Sequence, residues 1–239
     1  MTEASSNKAT LTPFQTRDLV LPGDVLYEGS IRTGENTYKH EGKVFATRIG
    51  LVEYGHDMVS VIALEAGYSP LVGDLVVGDV VDMELGEWTV DVDSPNYAIL
   101  NVSDAVGQPF RPDIVMPKIL DMGDTIAAKV VEIDRRRTPI LSILGRGLGK
   151  LQEGFIIRIT PSKIPRLIGK KGSMVNMILK ETGCDIVIGQ NGRIFIYGKT
   201  REQEEMVVKV IDMIDNEAHT TGLTNRIQDY LKRLKGEHV

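Results

Sequence analysis

Between Leu19 and Leu64, short apolar runs alternate with polar residues, and glycines separate them. This period-two pattern with glycine punctuation is typical of short β-strands joined by turns. It predicts strands at residues 25–27, 43–52 and 58–64. Residues 1–69 are therefore predicted to form a small N-terminal β domain.

A second β pattern runs from about Gly73 to Leu144. It predicts five strands, the number that an OB-fold barrel requires, at residues 75–85, 88–92, 98–102, 125–134 and 139–144. Strand alternation puts Trp88 on the same side as Val90 and Val92, which indicates a core position. Residues 70–147 are predicted to be this second domain.

After Gly145, Gly147 and Gly149 the pattern changes to mixed α/β. Helical periodicity alternates with short strands, and Thr200 precedes a long helical stretch as an N-cap. The predicted elements are a strand at 155–160, helices at 162–167 and 173–182, strands at 185–188 and 193–197, and helices at 201–217 and 224–234. Residues 148–239 thus form a β-α-α-β-β-α domain with a C-terminal helix. The whole chain is predicted to be multidomain, mainly β plus α/β.

A Gly-Asp pair followed by an apolar residue recurs at Gly23, Gly73, Gly78 and Gly123. Glycine allows positive φ and aspartate caps its own turn, so each pair is predicted to form a turn that opens a strand.

Composition narrows the classes of function. Hydrophobic residues make up 42% and charged residues 26% of the chain, and no apolar run approaches the ~20 residues that cross a bilayer. The polar start does not resemble a secretion signal, so we expect a cytoplasmic protein without a membrane partner. Cys184 is the only cysteine, which excludes an intrachain disulfide and a cysteine-rich zinc site.

Catalytic chemistry finds little support in the sequence. A nuclease needs clustered carboxylates for metal ions or paired histidines, and the histidines are scattered at positions 40, 56, 219 and 238. Asp91 and Asp93 could suggest a carboxylate pair, but we expect them to be solvated on one face of the barrel. We therefore predict no catalytic residue, metal ion or cofactor.

The net charge of −5 argues mildly against nucleic acid, which lysine and arginine bind by displacing counterions. Basic residues nevertheless cluster locally, at Arg135, Arg136, Arg137, Arg146, Lys150, Arg158, Lys163, Arg166, Lys170 and Lys171. Such a stripe restricts where a polyanion docks on an acidic protein. For any single member, an ordinary solvated surface charge is the more frequent explanation.

The most specific feature is a glycine loop, formed by Gly169, Lys170, Lys171 and Gly172 between two predicted helices. Glycines let a sugar-phosphate backbone approach closely, the lysines add charge, and the helix from Ser173 adds its positive end. Apolar side chains beside it, with the strand at 185–188, are predicted to form a floor for bases. The predicted RNA contacts here are Ile164, Arg166, Ile168, Gly169, Lys170, Lys171, Gly172 and Ser173. The alternative is a plain lysine-rich turn.

Residues 164–173 (IPRLIGKKGS) resemble the signature of a KH domain, and the element order is that of its type I form. Residues 73–144 resemble an S1-type RNA-binding domain in three blocks, VGDVV, AILNVS and GD through EID to ILS. Asn101 stands where that family often has a basic or aromatic residue. Such folds bind single-stranded nucleic acid by stacking bases on aromatic side chains and by placing positive charge along the phosphate backbone. The candidate contacts on the barrel are Tyr97, Lys129, Arg135, Arg136 and Arg137.

The order of β domain, S1 barrel and one KH domain resembles the S1/KH cap subunit of the archaeal RNA exosome. The resemblance covers Leu19 to Lys235 and includes LVLPG and GLTNRI. It implies three non-catalytic copies on a hexameric ring of RNase PH-like subunits, which capture single-stranded RNA and guide its 3′ end inward. In that family the N-terminal domain contacts the ring. The alternative is a ribosome- or transcription-associated RNA-binding regulator built from the same modules.

Overall fold

A computed structural model describes residues 13–64, 67–217 and 222–236, and the chain divides into two compact units at residues 66 and 67. The first unit has seven short strands in its described part. They are β1 (Leu19–Val20), β2 (Val25–Glu28), β3 (Arg32–Thr33), β4 (Thr37–His40), β5 (Lys43–Ala46), β6 (Gly50–Tyr54) and β7 (Met58–Ala63). They form two sheets, in the orders β1-β6-β7-β3 and β2-β5-β4. The N-terminal β domain of the prediction is confirmed.

The single strand predicted at residues 43–52 is wrong. The Thr47 N–H donates to the Asn36 carbonyl in the register of the β4–β5 pairing, and beyond it the chain leaves this sheet and enters the other at Gly50. Gly50 packs against the carbonyl of Ile62 with no space for a Cβ atom. A core between the sheets contains Val20, Leu26, Val44, Val52 and Val61.

The second unit begins with the barrel, whose five main strands confirm the OB-fold prediction. They are β8 (Leu75–Glu84), β9 (Glu87–Asp91), β10 (Ala98–Asn101), β11 (Thr125–Ile133) and β12 (Pro139–Ser142). The order β12-β10-β9-β8-β11 closes through a β11–β12 pairing. A short strand β13 (Gly149–Lys150) pairs antiparallel with β11. Helix α1 (Val102–Val106) and a 3-10 turn (Met116–Lys118) follow β10 along the chain.

Trp88 confirms its predicted core position. Its side chain is fully buried, and its Nε1 donates to the carbonyl of Leu120 at 3.0 Å. Val90 and Val92 share the same core cluster. The ring therefore stabilises the barrel from inside and offers no stacking surface.

Three of the four Gly-Asp pairs form the predicted turn, with positive φ at glycine and the aspartate Oδ2 accepting an N–H three residues back. These bonds join Leu21 to Asp24, Leu71 to Asp74, and Asp121 to Asp124. The prediction of a turn at Gly78 is wrong, because Gly78 lies inside β8. A Cβ there would lie 2.7 Å from Cγ1 of Val90, so close packing between strands requires this glycine.

The rest of the second unit has the predicted β-α-α-β-β-α order, which confirms a type I KH domain. Its elements are β14 (Phe155–Arg158), α2 (Ile164–Ile168), α3 (Ser173–Thr182), β15 (Asp185–Ile188), β16 (Arg193–Tyr197), α4 (Arg201–Glu217) and the terminal α5 (Leu223–Gly236). The antiparallel sheet has the order β14-β16-β15. One core joins its central strand β16 to helices α3, α4 and α5. In the described ranges, no helix is both long and apolar enough to cross a membrane.

Candidate nucleic-acid interface

The glycine loop lies between α2 and α3 as predicted. Gly169 has φ 73° and Gly172 has φ 79°, and Lys171 between them is also left-handed at φ 55°. Gly169 donates its N–H to the Pro165 carbonyl at 2.9 Å, which ends α2, and Gly172 donates to the Gly169 carbonyl at 3.1 Å. This tight turn leaves the side chains of Lys170 and Lys171 exposed.

The two loop glycines differ in how much space surrounds them. A Cβ atom on Gly169 would lie 2.8 Å from the backbone nitrogen of Met174, at the start of α3, whereas one on Gly172 would meet Asn176 Nδ2 at 3.3 Å. Gly169 is therefore required by the fold itself. A side chain at this position would disturb the start of α3 before any RNA is present.

The predicted apolar floor is only partly available. Ile164 is 2% exposed and belongs to the KH core, so its predicted contact with bases is wrong and it supports the loop from within. Ile168, Ile186 and Ile188 are half-buried at the edge of that core. Arg166 and Ser173, on either side of the loop, are exposed.

The barrel candidates lie mainly on two neighbouring loops. Tyr97 is 60% exposed, and the side chains of Arg135, Arg136 and Arg137 are exposed as well. The side-chain amide of Asn96 donates to the carbonyls of Arg136 and Arg137, at 3.4 and 3.1 Å, and joins these loops. Lys129 is exposed on β11.

Three members of the basic stripe form ion pairs with carboxylates. The closest contacts are Lys150 to Asp124 at 2.6 Å, Lys163 to Asp215 at 3.0 Å and Arg158 to Asp93 at 3.3 Å. Lys170 and Lys171 make no ion pair within the part of the chain that the structure describes. The loop lysines thus belong, with Arg135, Arg136, Arg137 and Arg146, to the members of the stripe that form no ion pair among the described residues.

Asp91 and Asp93 are not merely solvated, and that expectation is wrong. Arg193, whose side chain is 1% exposed, lies against the barrel between them and Asp79. Its Nε donates to Asp93 at 2.7 Å. Its Nη1 donates to Asp79 and to the Asp91 carbonyl, each at 3.0 Å, and its Nη2 donates to Asp91 at 2.7 Å and to Asp93 at 2.9 Å. All five donors of the guanidinium are thus satisfied by the barrel.

This geometry controls the charges of the cluster. Burial opposes the charge on Arg193, but its hydrogen bonds to Asp93 and Asp91 outweigh burial and raise its pKa. The hydrogen bond from Arg193 in turn lowers the pKa of Asp93. Within the described residues, no group of three or more His, Cys, Asp or Glu side chains could hold a metal ion. His219 and His238 lie outside those residues.

Asn191 makes a second connection to the barrel. Its side-chain amide accepts from the N–H of Val77 at 3.2 Å and donates to the carbonyls of Val77 at 2.7 Å and Val92 at 3.0 Å. Beside it, Gln190 donates its backbone N–H to the Leu75 carbonyl at 2.7 Å. We call residues 189–193, where the chain turns from β15 into β16, the hairpin tip. The sequence signal for it was a lone arginine in an apolar strand directly after a turn.

Three family models match successive parts of the chain. The N-terminal domain of the exosome RNA-binding protein RRP4 matches residues 17–65, the RRP4 S1 domain matches residues 67–132, and a KH domain matches residues 154–202. The order of the three matches is the order of the domains along the chain.

Full-length relatives are similar to nearly the whole chain. The exosome complex component Rrp4 of Methanothermobacter thermautotrophicus is 40% identical over 92% of this chain and 70% of its own length. The Thermococcus kodakarensis protein of the same name is 42% identical, over 90% of this chain and 85% of its own. A crystal structure of an exosome complex RNA-binding protein is 39% identical with a TM-score of 0.67, covering 73% of this chain and 100% of that one.

Proposed function

Since the chain belongs to the Rrp4 family of exosome components, we propose that it is a non-catalytic RNA-binding cap of an exosome. It captures single-stranded RNA and guides the 3′ end into a phosphorolytic ring of RNase PH-like subunits, with three copies per complex. The observation that carries this proposal is the pair of exposed lysines on the glycine loop, next to the N-terminus of α3.

The loop binds RNA through its backbone and charge. Lys170 and Lys171 offer two cations without ion-pair partners in the described chain, and α3 begins with N–H groups that no earlier turn of helix accepts. Phosphates are drawn to both features. The half-buried Ile168, Ile186 and Ile188 give unpaired bases an apolar edge to lie against.

The barrel supplies a second, weaker contact. Tyr97 presents an exposed aromatic ring for stacking, and Lys129, Arg135, Arg136 and Arg137 provide charge for the backbone. Trp88 is not available, since it is buried. Linking weak sites raises the effective concentration of RNA without any tight individual site.

The N-terminal domain has a surface suited to a protein partner. In the β1-β6-β7 sheet, Leu19 pairs with Leu51 and Leu51 with Ile62, so the three side chains form a row across one face. Leu19 is 54% and Ile62 51% exposed. Leu51 between them is half-buried. Exposed apolar side chains next to one another are typical of interaction surfaces, and we assign this face to the ring.

RNA cleavage is assigned to the ring subunits. The carboxylates that could have served a nuclease, Asp91 and Asp93, accept hydrogen bonds from Arg193. Purified chain incubated with RNA, phosphate and Mg²⁺ is therefore expected to leave the RNA length unchanged. Shortened RNA in a preparation free of other subunits would overturn this assignment.

The loop is tested by reversing its charge while both glycines are kept. We expect Lys170→Glu with Lys171→Glu to weaken single-stranded RNA binding about tenfold or more at low salt. The slope of log K against log salt should shrink by roughly 0.7 for each phosphate that the protein no longer neutralises. Fluorescence anisotropy with a labelled oligonucleotide measures both quantities.

The matched control is Lys199→Glu with Lys209→Glu, which changes the net charge equally at two exposed sites of the KH domain. At about 0.15 M salt it should change affinity about twofold at most, because charges then act over a Debye length of only about 8 Å. Equal reductions in affinity in the two variants would assign binding to overall charge and not to the loop.

Assembly is tested by native mass spectrometry of the complex isolated through a tag on this chain. We expect three copies together with ring subunits. Recovery with ribosomal subunits or RNA polymerase, and without ring subunits, would favour a ribosome- or transcription-associated regulator instead.

A further inference from the structure

Polar contacts from the hairpin tip join the KH domain to the barrel. Every acceptor of the Arg193 guanidinium lies on β8, on β9 or just after β9. A planar guanidinium that satisfies all five donors fixes both distance and angle, unlike a single flexible ion pair. Because the side chain is almost fully buried, these bonds are screened little by salt.

Asn191 adds a contact that depends on register. The pairing between β8 and β9 begins at Asp79, so β9 does not pair with the backbone of Val77. The amide of Asn191 fills that position and pairs with both the N–H and the carbonyl of Val77, as a neighbouring strand would. A Cβ on Gly189 would approach the Val77 nitrogen to 2.9 Å, so the hairpin tip lies directly against β8.

The same cluster is adjacent to the RNA candidates of the barrel. Asp91 and Asp93 line one surface pocket with Tyr97, and Asp93 also contacts Arg158 of β14. Displacing Arg193 would leave three carboxylates close together, and their repulsion would move the loop that carries Tyr97. The position of Tyr97 is thus coupled to the position of the KH domain.

We propose that Asn191 and Arg193 are positioning residues for RNA, which hold the glycine loop and the Tyr97 side of the barrel at a fixed separation so that one strand contacts both. This inference rests on the proposed RNA-binding function. Once RNA is bound at one of two sites on a rigid body, the second site meets it at a high effective concentration. The gain in affinity falls when the connection between the KH domain and the barrel becomes flexible. Neither residue touches RNA.

Strand length separates positioning from general stability. An oligonucleotide of about four nucleotides covers the glycine loop alone, whereas one of about 20 reaches both contacts. For the full chain carrying Arg193→Met, we expect affinity for the long strand to fall about tenfold and affinity for the short strand to stay within about twofold. Asp91→Asn with Asp93→Asn should reproduce this pattern from the barrel side.

The matched control is Arg201→Met, which removes an equally charged side chain from an exposed ion pair with Glu205. It should leave both affinities unchanged. Equal reductions in affinity for short and long strands in Arg193→Met would overturn the positioning role while leaving RNA binding intact. If the unmodified chain bound neither strand, the proposed function itself would fail.

A distance measurement supplies a readout that does not involve RNA. Spin labels at Glu84→Cys on the barrel and Lys180→Cys on α3 occupy exposed sites, and native Cys184 is buried. We expect a narrow distance distribution in the otherwise native chain and a broad one with Arg193→Met. An equally narrow distribution in the variant would overturn the proposal, even if the variant bound RNA less well.

Discussion

At the scale of single residues, the Arg193 cluster makes stability depend on pH in a defined direction. The hydrogen bond from Arg193 holds the pKa of Asp93 below the ordinary value of 3.8. A carboxyl with a lowered native pKa stabilises the fold above the unfolded pKa, and this contribution is lost as pH falls through the native value. Asp79, Asp91, Arg158 and Arg193 surround the group.

We therefore expect the midpoint of thermal unfolding to fall more steeply below about pH 4 in the native protein than in Asp93→Asn, which cannot take up this proton. Thermal unfolding is followed at successive pH values, and the midpoints of the two proteins are plotted against pH. The difference between the two curves isolates Asp93, because all other carboxylates are common to both proteins. Parallel curves would show that Asp93 does not contribute to acid sensitivity.

Gly78 provides a second test at this scale. A Cβ atom would lie 2.7 Å from Cγ1 of Val90 and 2.8 Å from the Asp91 carbonyl. We expect Gly78→Ala to lower the free energy of unfolding by about 1–3 kcal/mol through overpacking. Gly67→Ala is the control, since its Cβ would meet nothing within 4 Å. Urea unfolding of both variants measures the difference, and similar midpoints would contradict the packing argument.

Some residue roles follow from sequence and others do not. Alternation alone places Trp88 in the core, because a strand has only two faces. The burial of Ile164 was missed, since in a helix of five residues the inward face depends on what packs against it. Arg193 was missed for a different reason, because its three aspartates lie between 100 and 114 positions earlier in the chain.

At the scale of elements, segments bounded by turn glycines were predictable and two-residue strands were not. The bounds of α3, β15 and β16 match the sequence pattern, because turn glycines mark their ends. Strands β1 and β3 have two residues each, too few for any period to show. Whether the loop and barrel residues bind RNA, and where the domain boundaries fall, stay predictions.

The terminal helix α5 is part of the KH core and not an appendage. Leu223, Ile227 and Leu231 are buried at helical spacing in the same cluster as α3 and α4. We expect Ile227→Ala to cost about 2–5 kcal/mol in the free energy of unfolding, the usual range for a buried large-to-small change. Gln228→Ala, on the exposed face, should stay within about 0.5 kcal/mol. Chemical denaturation distinguishes them, and equal costs would show that α5 is not packed as described.

At the scale of the whole molecule, the barrel and the KH domain are expected to unfold together. Their shared polar contacts are buried, so either domain alone would leave charged or backbone groups without partners. Differential scanning calorimetry should show one transition for these two domains in the native chain and separate transitions with Arg193→Met. A single transition in both proteins would show that other contacts suffice for cooperativity.

The domain order was predictable because each module has its own local motif. The way in which the barrel and the KH domain meet was not, since the bonds between Asn191 and Val77 join residues 114 positions apart. No local pattern specifies such a pairing. The sequence indicated the modules, and the structure shows how two of them form one unit.

The position of the hairpin tip late in the chain has a consequence for biosynthesis. The strands of the barrel leave the ribosome before Asn191 and Arg193 are translated, by several seconds at about 5–20 residues per second. During that interval Val77 pairs with Ala127 of β11 but has no partner on the side of β8 that faces β9, and Asp79, Asp91 and Asp93 repel one another. The nascent barrel is therefore most vulnerable to aggregation just before the KH domain emerges, and ribosome stalling within residues 143–190 would prolong that state.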